Sequence, residues 1–204
     1  MLVSNINRFI TIDIPKTATR SLRETLLGDL CFFGKTGRQH FTARQAKVYM
    51  VSYLKNSNSS LTWDDYYKYS VVRNPWDRAV SLFSYYLDSI TPGMKQKWGL
   101  FFEEDNIKED FCSLLKKRTR FNDAQEKYII NSEGDIMVDQ VANFDNLQEE
   151  FNIFCEKVGI EKRKLRHSNK KKYKVTKEYL LNQESVDIIA DREKFVIDLM
   201  GYNF

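Results

Sequence analysis

The sequence predicts an α/β fold in which helices flank a central, mostly parallel sheet. Two β-branched runs carry this prediction, "FITIDI" at residues 9–14 and "YKYSVV" at residues 67–72. Each run is followed, after a short loop, by a stretch with helical apolar periodicity, so the order strand, loop, helix occurs twice. Strands that alternate with helices are typical of α/β proteins, because each helix returns the chain for another parallel strand.

Capping patterns locate the helices of the first half. Ser21 and Glu24 fit a capping box ahead of an apolar stripe that Gly28 would end. Thr42 and Gln45 repeat the pattern before a second helix, which is expected to bury one apolar side and to end near residue 54. Both helices are therefore expected to begin at defined residues.

The helix after the second strand also has a marked start. Asn74 can cap it, Pro75 suits its first position, and Asp77 lies in the first turn, where the helix dipole favours an anion. Arg78 is expected to pair with Asp77 or Asp88. The remaining predicted elements are a short helix at 107–118, a strand within 136–144, a helix at 147–158 ended by Gly159, and one final helix at 185–200 that stops at Gly201.

Length and charge restrict the class of protein. The chain has 204 residues, which predicts a single domain over residues 1–204, and its 42% hydrophobic content is enough for a core. The net charge is only +4, so binding to nucleic acid is not the expected function. Positive charge is concentrated instead in the run "EKRKLRHSNKKKYK", where eight Lys or Arg residues lie between positions 162 and 174. A solvated loop is the alternative interpretation of that run.

The cysteines indicate a reducing compartment. Cys31, Cys112 and Cys155 are odd in number, far apart and flanked by apolar residues, so buried thiols are expected rather than disulfides. The two histidines have no neighbouring cysteine, and no metal-ligand cluster is predicted. No run of about 18 apolar residues is present, so no membrane span is expected. A cytoplasmic location follows as the prediction.

The loop after the first strand has the outline of an anion site. "PKTATR" supplies a cation at Lys16, and hydroxyls follow at Thr17, Thr19 and Ser21. A helix begins here, and the first turn of a helix offers unpaired N–H groups and the positive end of the dipole. The loop lacks the glycines of the G-x-x-x-x-G-K-[ST] nucleotide loop, so a different phosphate ligand is indicated.

A second anion site is predicted after the second strand. Arg73 supplies its cation, and Ser81 follows on the next helix. Because the carboxyl ends of parallel strands meet at one edge of a sheet, the two sites are expected to face one cleft. A ligand with a phosphate at each end would satisfy both sites.

These two segments, "PKTATRSL" and "YSVVRNPWDRAVSLFSYY", resemble the 5′-phosphosulfate loop and the 3′-phosphate motif of sulfotransferases that use 3′-phosphoadenosine 5′-phosphosulfate (PAPS). Further segments agree in order, including "RQHFTARQAKVYM", "FNDAQEKYI", "VANFDNLQEEF" and "LRHSNKKKY", so the resemblance spans nearly the whole chain. It is strongest to the group of the Golgi carbohydrate sulfotransferases and their soluble microbial relatives. The resemblance implies a P-loop-like three-layer fold and sulfuryl transfer to an acceptor hydroxyl, that of a carbohydrate.

The resemblance also implies roles for particular residues. Lys16 would lie beside the oxygen that bridges the 5′-phosphate and the sulfuryl group. Binding of the 5′-phosphate is expected from Thr17, Ala18, Thr19, Arg20 and Ser21, binding of the 3′-phosphate from Arg73 and Ser81, and contacts to acceptor or cofactor from Gln125, His167, Lys170, Lys171 and Lys172. The chain departs from the family at two positions, since Ala18 replaces a glycine and Arg20 a small hydroxyl residue. Ala18 fits only if its φ is negative or the strain is absorbed.

His40 is the predicted general base. A neutral imidazole can take the proton of the acceptor hydroxyl as that hydroxyl attacks sulfur. The alternative is a structural or helix-capping histidine. The predicted mechanism is direct in-line transfer, with release of 3′-phosphoadenosine 5′-phosphate (PAP), no covalent enzyme intermediate and no metal.

Two other functions are compatible with parts of the pattern. A P-loop-like small-molecule kinase would bind phosphate at the same edge, but it predicts a glycine-rich Lys-[ST] loop and an acidic metal ligand after the second strand. A non-catalytic module that binds PAP or PAPS would keep the site without turnover, and the departures at Ala18 and Arg20 make it a candidate.

Overall fold

The computed structural model describes residues 1–26, 32–33, 40–89, 91, 93, 106–117, 123–166 and 175–204. Close contacts divide the chain into two compact units. The first comprises Met1–Arg73 and Gln125–Ser168, and the second comprises Asn74–Ala124 and Asn169–Phe204. The expectation of a single domain stays a prediction.

The first unit contains a mixed sheet. Its described strands are β1 (Leu2–Ser4), β2 (Phe9–Ile12), β3 (Phe32–Phe33), β4 (Tyr67–Val72) and β5 (Gln140–Asn143), in the spatial order β3-β1-β2-β4-β5. β2 pairs in parallel with β4, and β4 with β5, whereas β1 is antiparallel to both β2 and β3. The α/β class is confirmed, but the prediction of a mostly parallel sheet is wrong, because the sheet is only partly parallel.

The antiparallel strand has a simple physical origin. Only residues 5–8 separate β1 from β2. A parallel pair needs a crossover of about a dozen residues or more, so two strands this close in sequence form a hairpin. β1 is three residues long, which is too short for a clear periodic signal in the sequence.

Both units contain helices. In chain order they are α1 (Thr19–Leu26), α2 (Ala43–Asn56), α3 (Pro75–Ser89), α4 (Ile107–Lys116), α5 (Glu126–Ile129), α6 (Leu147–Val158), α7 (Lys177–Leu180), α8 (Gln183–Arg192) and α9 (Lys194–Met200). Short 3₁₀ turns lie at Trp63–Asp65 and Phe144–Asn146. α1, α2, α5 and α6 belong to the first unit and the others to the second.

The core of the first unit lies between the sheet and helices α1 and α6. Apolar side chains of these elements form one buried cluster, which includes Leu2, Phe9, Leu22, Leu26, Tyr69, Val71, Phe151, Phe154 and Cys155. The Phe154 ring packs edge-on against Phe9, with centroids 5.2 Å apart, and at a tilt against Tyr69, with centroids 4.6 Å apart. Cys155 is a buried free thiol, as predicted.

The two predicted capping boxes have different outcomes. At α2 the box is confirmed, since Thr42 Oγ1 accepts from Gln45 N and Gln45 Oε1 accepts from Thr42 N, both at 3.2 Å. At α1 the prediction is wrong, because the helix begins at Thr19 and Ser21 lies inside it. Glu24 instead pairs with Arg20 at 2.7 Å, one helical turn earlier. Gly28 lies outside the described residues.

The described part of the second unit is helical. α3 begins as predicted, with Asn74 Oδ1 accepting from the main-chain N–H groups of Trp76 and Asp77 at 3.2 and 3.3 Å. Arg78 does not pair with an acidic residue of its own helix as predicted. It forms a buried ion pair with Glu193 at 2.8 Å.

That ion pair coincides with a break in the predicted final helix. The chain forms α8 and α9 on either side of Glu193, whose φ of −103° and ψ of 16° leave the helical range. The single helix predicted over residues 185–200 is therefore wrong, although Gly201 ends α9 with a left-handed φ of 68° as expected. Tertiary contacts can override local helix propensity, and a buried ion pair lies at this break.

The buried hydroxyl of Tyr69 generates a prediction about stability. Tyr69 is fully buried, and among the described residues its hydroxyl has no hydrogen-bond partner. Burial raises the pKa of this phenol, with a smaller contribution from the nearby Glu150 carboxylate. An unsatisfied buried hydroxyl costs about 1–3 kcal/mol, so Tyr69→Phe is expected to stabilise the protein by about 1 kcal/mol and to raise Tm by about 2–4 °C.

Thermal unfolding of the wild type and the variant measures this effect. Tyr67→Phe is the matched control, because the Tyr67 hydroxyl donates to Gln140 Oε1 at 3.4 Å and its removal brings no such gain. A lower Tm for Tyr69→Phe than for the wild type would show that the hydroxyl has a favourable partner.

Candidate functional site

The candidate site lies where β2 and β4 end in the first unit. Ile12 pairs with Ser70 in parallel register, so the loops that follow the two strands leave the same edge of the sheet. We define the strand-edge site as residues 13–21, His40, Arg73, Gln125 and Phe144. All of these residues belong to the first unit.

The loop between β2 and α1 has an unusual backbone. Lys16 has a φ of 70° and Ala18 a φ of 60°, so two non-glycine residues adopt the left-handed conformation within three positions. Each such residue costs about 1–2 kcal/mol. The hydroxyls of Thr17 and Thr19 both donate to the carbonyl of Ile14 at 3.0 Å, which holds the loop in this form. The φ of Ala18 is thus positive, and these contacts hold the chain in the strained conformation.

Besides the Lys16 ammonium, main-chain N–H groups are donors that this loop can offer to an anion. Within the described residues, the N–H groups of residues 17–21 have no acceptor. They belong to the left-handed turn and to the first turn of α1, both of which favour bound anions. The hydroxyls of Thr17 and Thr19 already donate to Ile14, and the Ser21 hydroxyl donates to the carbonyl of Arg166. Contacts from these three hydroxyls to phosphate stay predictions.

The two predicted cations are brought together. Nη1 of Arg73 donates a long hydrogen bond of 3.4 Å to the carbonyl of Lys16. The same guanidinium stacks on the Phe144 ring, with its central carbon 4.4 Å from the ring centroid. Lys16 and Arg73 come from different strand-loop-helix segments, and both are half-buried residues that follow parallel strands at one edge of the sheet.

Gln125 holds the main chain of Arg73. Its side chain is completely buried, with Oε1 accepting from Arg73 N and Nε2 donating to Arg73 O, each at 2.9 Å. The sequence predicted that Gln125 contacts the acceptor or cofactor. That contact stays a prediction, and the structure gives this carboxamide a definite role in fixing Arg73.

The His40 side chain contacts the main chain just after β2 through one of its ring nitrogens. Nδ1 is 2.9 Å from the carbonyl oxygen of Asp13. A carbonyl can only accept, so Nδ1 carries the proton and Nε2 keeps its lone pair. Partial burial lowers the pKa of His40 below its ordinary value of 6.5, and this effect outweighs the opposing influence of the Asp13 carbonyl and carboxylate. The imidazole is therefore neutral at neutral pH.

Asp13 anchors this part of the site and was not singled out from the sequence. Its buried carboxylate binds the Arg23 guanidinium at 2.6 Å, the Thr11 hydroxyl at 2.9 Å and the Met1 amino group. Burial alone would raise the pKa of Asp13, but the two cations outweigh it and lower the pKa below its ordinary value. A charged residue inside the apolar run "FITIDI" was the available signal. Phe144 had no comparable signal.

The remaining predicted site residues are in the second unit, are exposed on α1, or are outside the described residues. Ser81 is on the second turn of α3, in the second unit, and is 4% exposed. Its contact with a 3′-phosphate stays a prediction. Arg20 is exposed and pairs with Glu24. His167, Lys170, Lys171 and Lys172 lie outside the described residues.

The described parts of the chain show neither a metal-ligand cluster nor a membrane-spanning helix. In the described ranges, no group of three or more His, Cys, Asp or Glu side chains has a metal-binding arrangement. None of the described helices combines the length and the apolar character that crossing a membrane requires.

Comparisons with known proteins gave no match. No family model, curated protein or solved structure matches this chain. The functional interpretation therefore depends on the sequence motifs and on the geometry of the strand-edge site.

The left-handed residue Ala18 generates a prediction about strain. Replacing Ala18 by glycine removes a steric cost of about 1–2 kcal/mol, while the added freedom of the unfolded chain costs about 0.4–1 kcal/mol. Ala18→Gly is therefore expected to raise the free energy of unfolding by up to about 1 kcal/mol, measured by denaturant titration. In contrast, Ala190→Gly in the interior of α8 should lower it by about 1 kcal/mol. Equal destabilisation by both variants would show that Ala18 is not strained.

Proposed function

We propose that this protein is a PAPS-dependent sulfotransferase that transfers a sulfuryl group to an acceptor hydroxyl, most simply that of a carbohydrate. The observation that carries the proposal is the contact between the Arg73 guanidinium and the Lys16 carbonyl at 3.4 Å. The two residues whose side chains are assigned to opposite ends of PAPS are thus in contact, through the Arg73 side chain and the Lys16 main chain. A P-loop-like three-layer fold and a cytoplasmic location belong to the same proposal, and the free thiols of Cys112 and Cys155 are in keeping with the latter.

The strand-edge site suits PAPS because it offers positive charge and hydrogen-bond donors to the anionic groups of this nucleotide. The N–H groups of residues 17–21 and the ammonium of Lys16 would bind the 5′-phosphosulfate. The guanidinium of Arg73 would bind the 3′-phosphate, since its planar fork suits phosphate oxygens. Ser81 would add a hydroxyl to that phosphate, as its motif implies.

The proposed reaction is a single displacement at sulfur. The acceptor oxygen forms a bond to sulfur while the bond from sulfur to the 5′-phosphate oxygen breaks, and the electron pair of that bond stays on the phosphate of PAP. Lys16 stabilises the negative charge that develops on this oxygen. The acceptor hydroxyl gives its proton to a base, which prevents a positive charge from building up on the acceptor oxygen. No covalent enzyme intermediate is needed.

His40 is the base in this proposal. Its Nδ1–H is held by the Asp13 carbonyl, so Nε2 presents the lone pair. The lowered pKa keeps the ring neutral, and hence competent to accept a proton, at neutral pH. Asp13 supports this arrangement indirectly, because Arg23 and the Met1 amino group hold its carboxylate in place.

Ligand binding and sulfate transfer test the proposal directly. PAP at about 100 times its Kd should stabilise the protein by about 2.7 kcal/mol, whereas ATP with Mg²⁺ should give a smaller shift of Tm. A panel of carbohydrate and other hydroxyl acceptors with radiolabelled PAPS should yield labelled product. Lys16→Met should reduce kcat by about 10²–10³-fold, and Lys47→Met, which alters an exposed lysine of α2, should not.

The competing functions predict other results. Stabilisation by ATP with Mg²⁺ but not by PAP would favour a small-molecule kinase. A non-catalytic module would bind PAP but transfer sulfate to no acceptor. In that case the rate at which bound PAPS is consumed would be the same in the wild type and in Lys16→Met. Either result would overturn the assignment of sulfotransferase activity.

The pKa of His40 generates a prediction about pH. Protonated His40 cannot act as a base, so kcat is expected to fall as pH drops through the His40 pKa, which lies below 6.5. Above that pKa the ring is neutral and kcat should be level near neutral pH. His40→Gln should lower kcat by about 10²–10⁴-fold and remove the acidic limb, as measured from pH 4.5 to 8. An unchanged acidic limb in this variant would assign the base to another residue.

A further inference from the structure

Gln125 has a buried carboxamide whose contacts indicate a role beyond ordinary packing. It binds both main-chain groups of Arg73 at 2.9 Å, and it is completely inaccessible to solvent. We propose that Gln125 is a positioning residue that fixes the Arg73 main chain and thereby sets the selectivity for nucleotides that carry a 3′-phosphate. This inference rests on the proposed function, in which Arg73 binds that phosphate.

Arg73 needs such support because the sheet ends before it. β4 stops at Val72, so the ladder of β4 does not include the main chain of Arg73. Gln125 supplies one acceptor and one donor to that main chain, as a neighbouring strand would. Gln125 is itself fixed, since its own carbonyl accepts from Tyr128 N at 3.0 Å at the start of α5.

The position of the pair in the chain adds to this argument. Arg73 is the last residue of the first unit before the chain leaves it, and Gln125 is the residue at which the chain returns. The first unit consists of two chain segments, and the double hydrogen bond joins the end of one segment to the start of the other. A shift of either end would displace the main chain from which the Arg73 side chain extends.

The Arg73 side chain depends on its main chain for direction. Its guanidinium reaches both the Lys16 carbonyl and the Phe144 ring. A misplacement of about 1 Å can cost about 100-fold in a positioned site, so loss of the main-chain clamp should weaken a phosphate contact at the far end of this side chain.

Only a side chain with both a donor and an acceptor can replace the carboxamide. Leucine has neither group, and an ionised glutamate has only acceptors. A protonated glutamic acid has one hydroxyl donor and one carbonyl acceptor, and it has nearly the shape of glutamine. Gln125→Glu is therefore expected to keep the clamp only when the introduced carboxyl group is protonated.

The experiment compares two nucleotides that differ only in the 3′-phosphate. Titration calorimetry would measure the affinities of the wild type for PAP and for adenosine 5′-phosphate, and their ratio reports the 3′-phosphate contact. Gln125→Leu is expected to lower this ratio by about tenfold or more, while affinity for adenosine 5′-phosphate stays within about twofold. A general loss of folding would weaken both nucleotides equally.

Two controls separate positioning from stability. Gln140→Leu removes a side-chain amide that binds Glu150 and Tyr67 in the same unit, and it should leave the ratio unchanged. Arg73→Met should lower the ratio, and adding Gln125→Leu to it should cause no further loss, because both changes remove the same contact. Gln125→Glu should recover the ratio as pH falls, relative to the wild type at each pH.

The outcomes distinguish this inference from the proposed function. A wild type that does not prefer PAP over adenosine 5′-phosphate contradicts the proposed function, and the inference fails with it. A wild type that prefers PAP, combined with an unchanged ratio in Gln125→Leu, overturns the inference alone. If Gln125→Leu does not fold, Gln125→Met takes its place, because methionine also lacks the donor and acceptor pair, and an unchanged ratio in that variant overturns the inference in the same way.

Discussion

The contact between the Arg73 guanidinium and the Lys16 carbonyl is the interaction on which the strand-edge site depends. It joins the loop after β2 to the residue after β4, and the parallel pairing of those strands brings both to one edge. Without that register, Lys16 and Arg73 would be two unrelated surface cations. With it, the Arg73 guanidinium reaches the Lys16 main chain beside the start of α1, which is the geometry that the proposed binding of a nucleotide with two anionic groups uses.

Side chains, rather than a strand or a helix, hold the backbone of the loop after β2. The carbonyls of residues 13, 14 and 16 accept from His40, from Thr17 and Thr19, and from Arg73, respectively. Buried carbonyls need partners, and here the partners are the same residues that the proposed chemistry uses. The arrangement directs the N–H groups of residues 17–21 away from internal acceptors. Two left-handed residues, Lys16 and Ala18, are the cost of that orientation.

The fold was predictable wherever short-range patterns decide structure. β2, β4, α2 with its capping box, and the start of α3 at Pro75 lie close to where the sequence indicated. Two failures involve long-range contacts. Ser21 was expected to cap a helix but donates to Arg166, and Glu193, which pairs with Arg78, lies at a break in a predicted helix. In both cases the partner is more than 100 positions away in sequence, which is beyond the range of a local pattern.

The sequence by itself determined the α/β class, the two loops with their cations, and the identity of Lys16, His40 and Arg73 as candidates, because composition, caps and motif spacing are local properties. Only the tertiary structure decided that Arg73 touches Lys16, that Gln125 clamps Arg73, and that His40 bonds to Asp13 through one nitrogen. These contacts join segments 27 to 57 positions apart. Their existence follows from strand register and from hydrogen-bond geometry, and no short window of sequence encodes either.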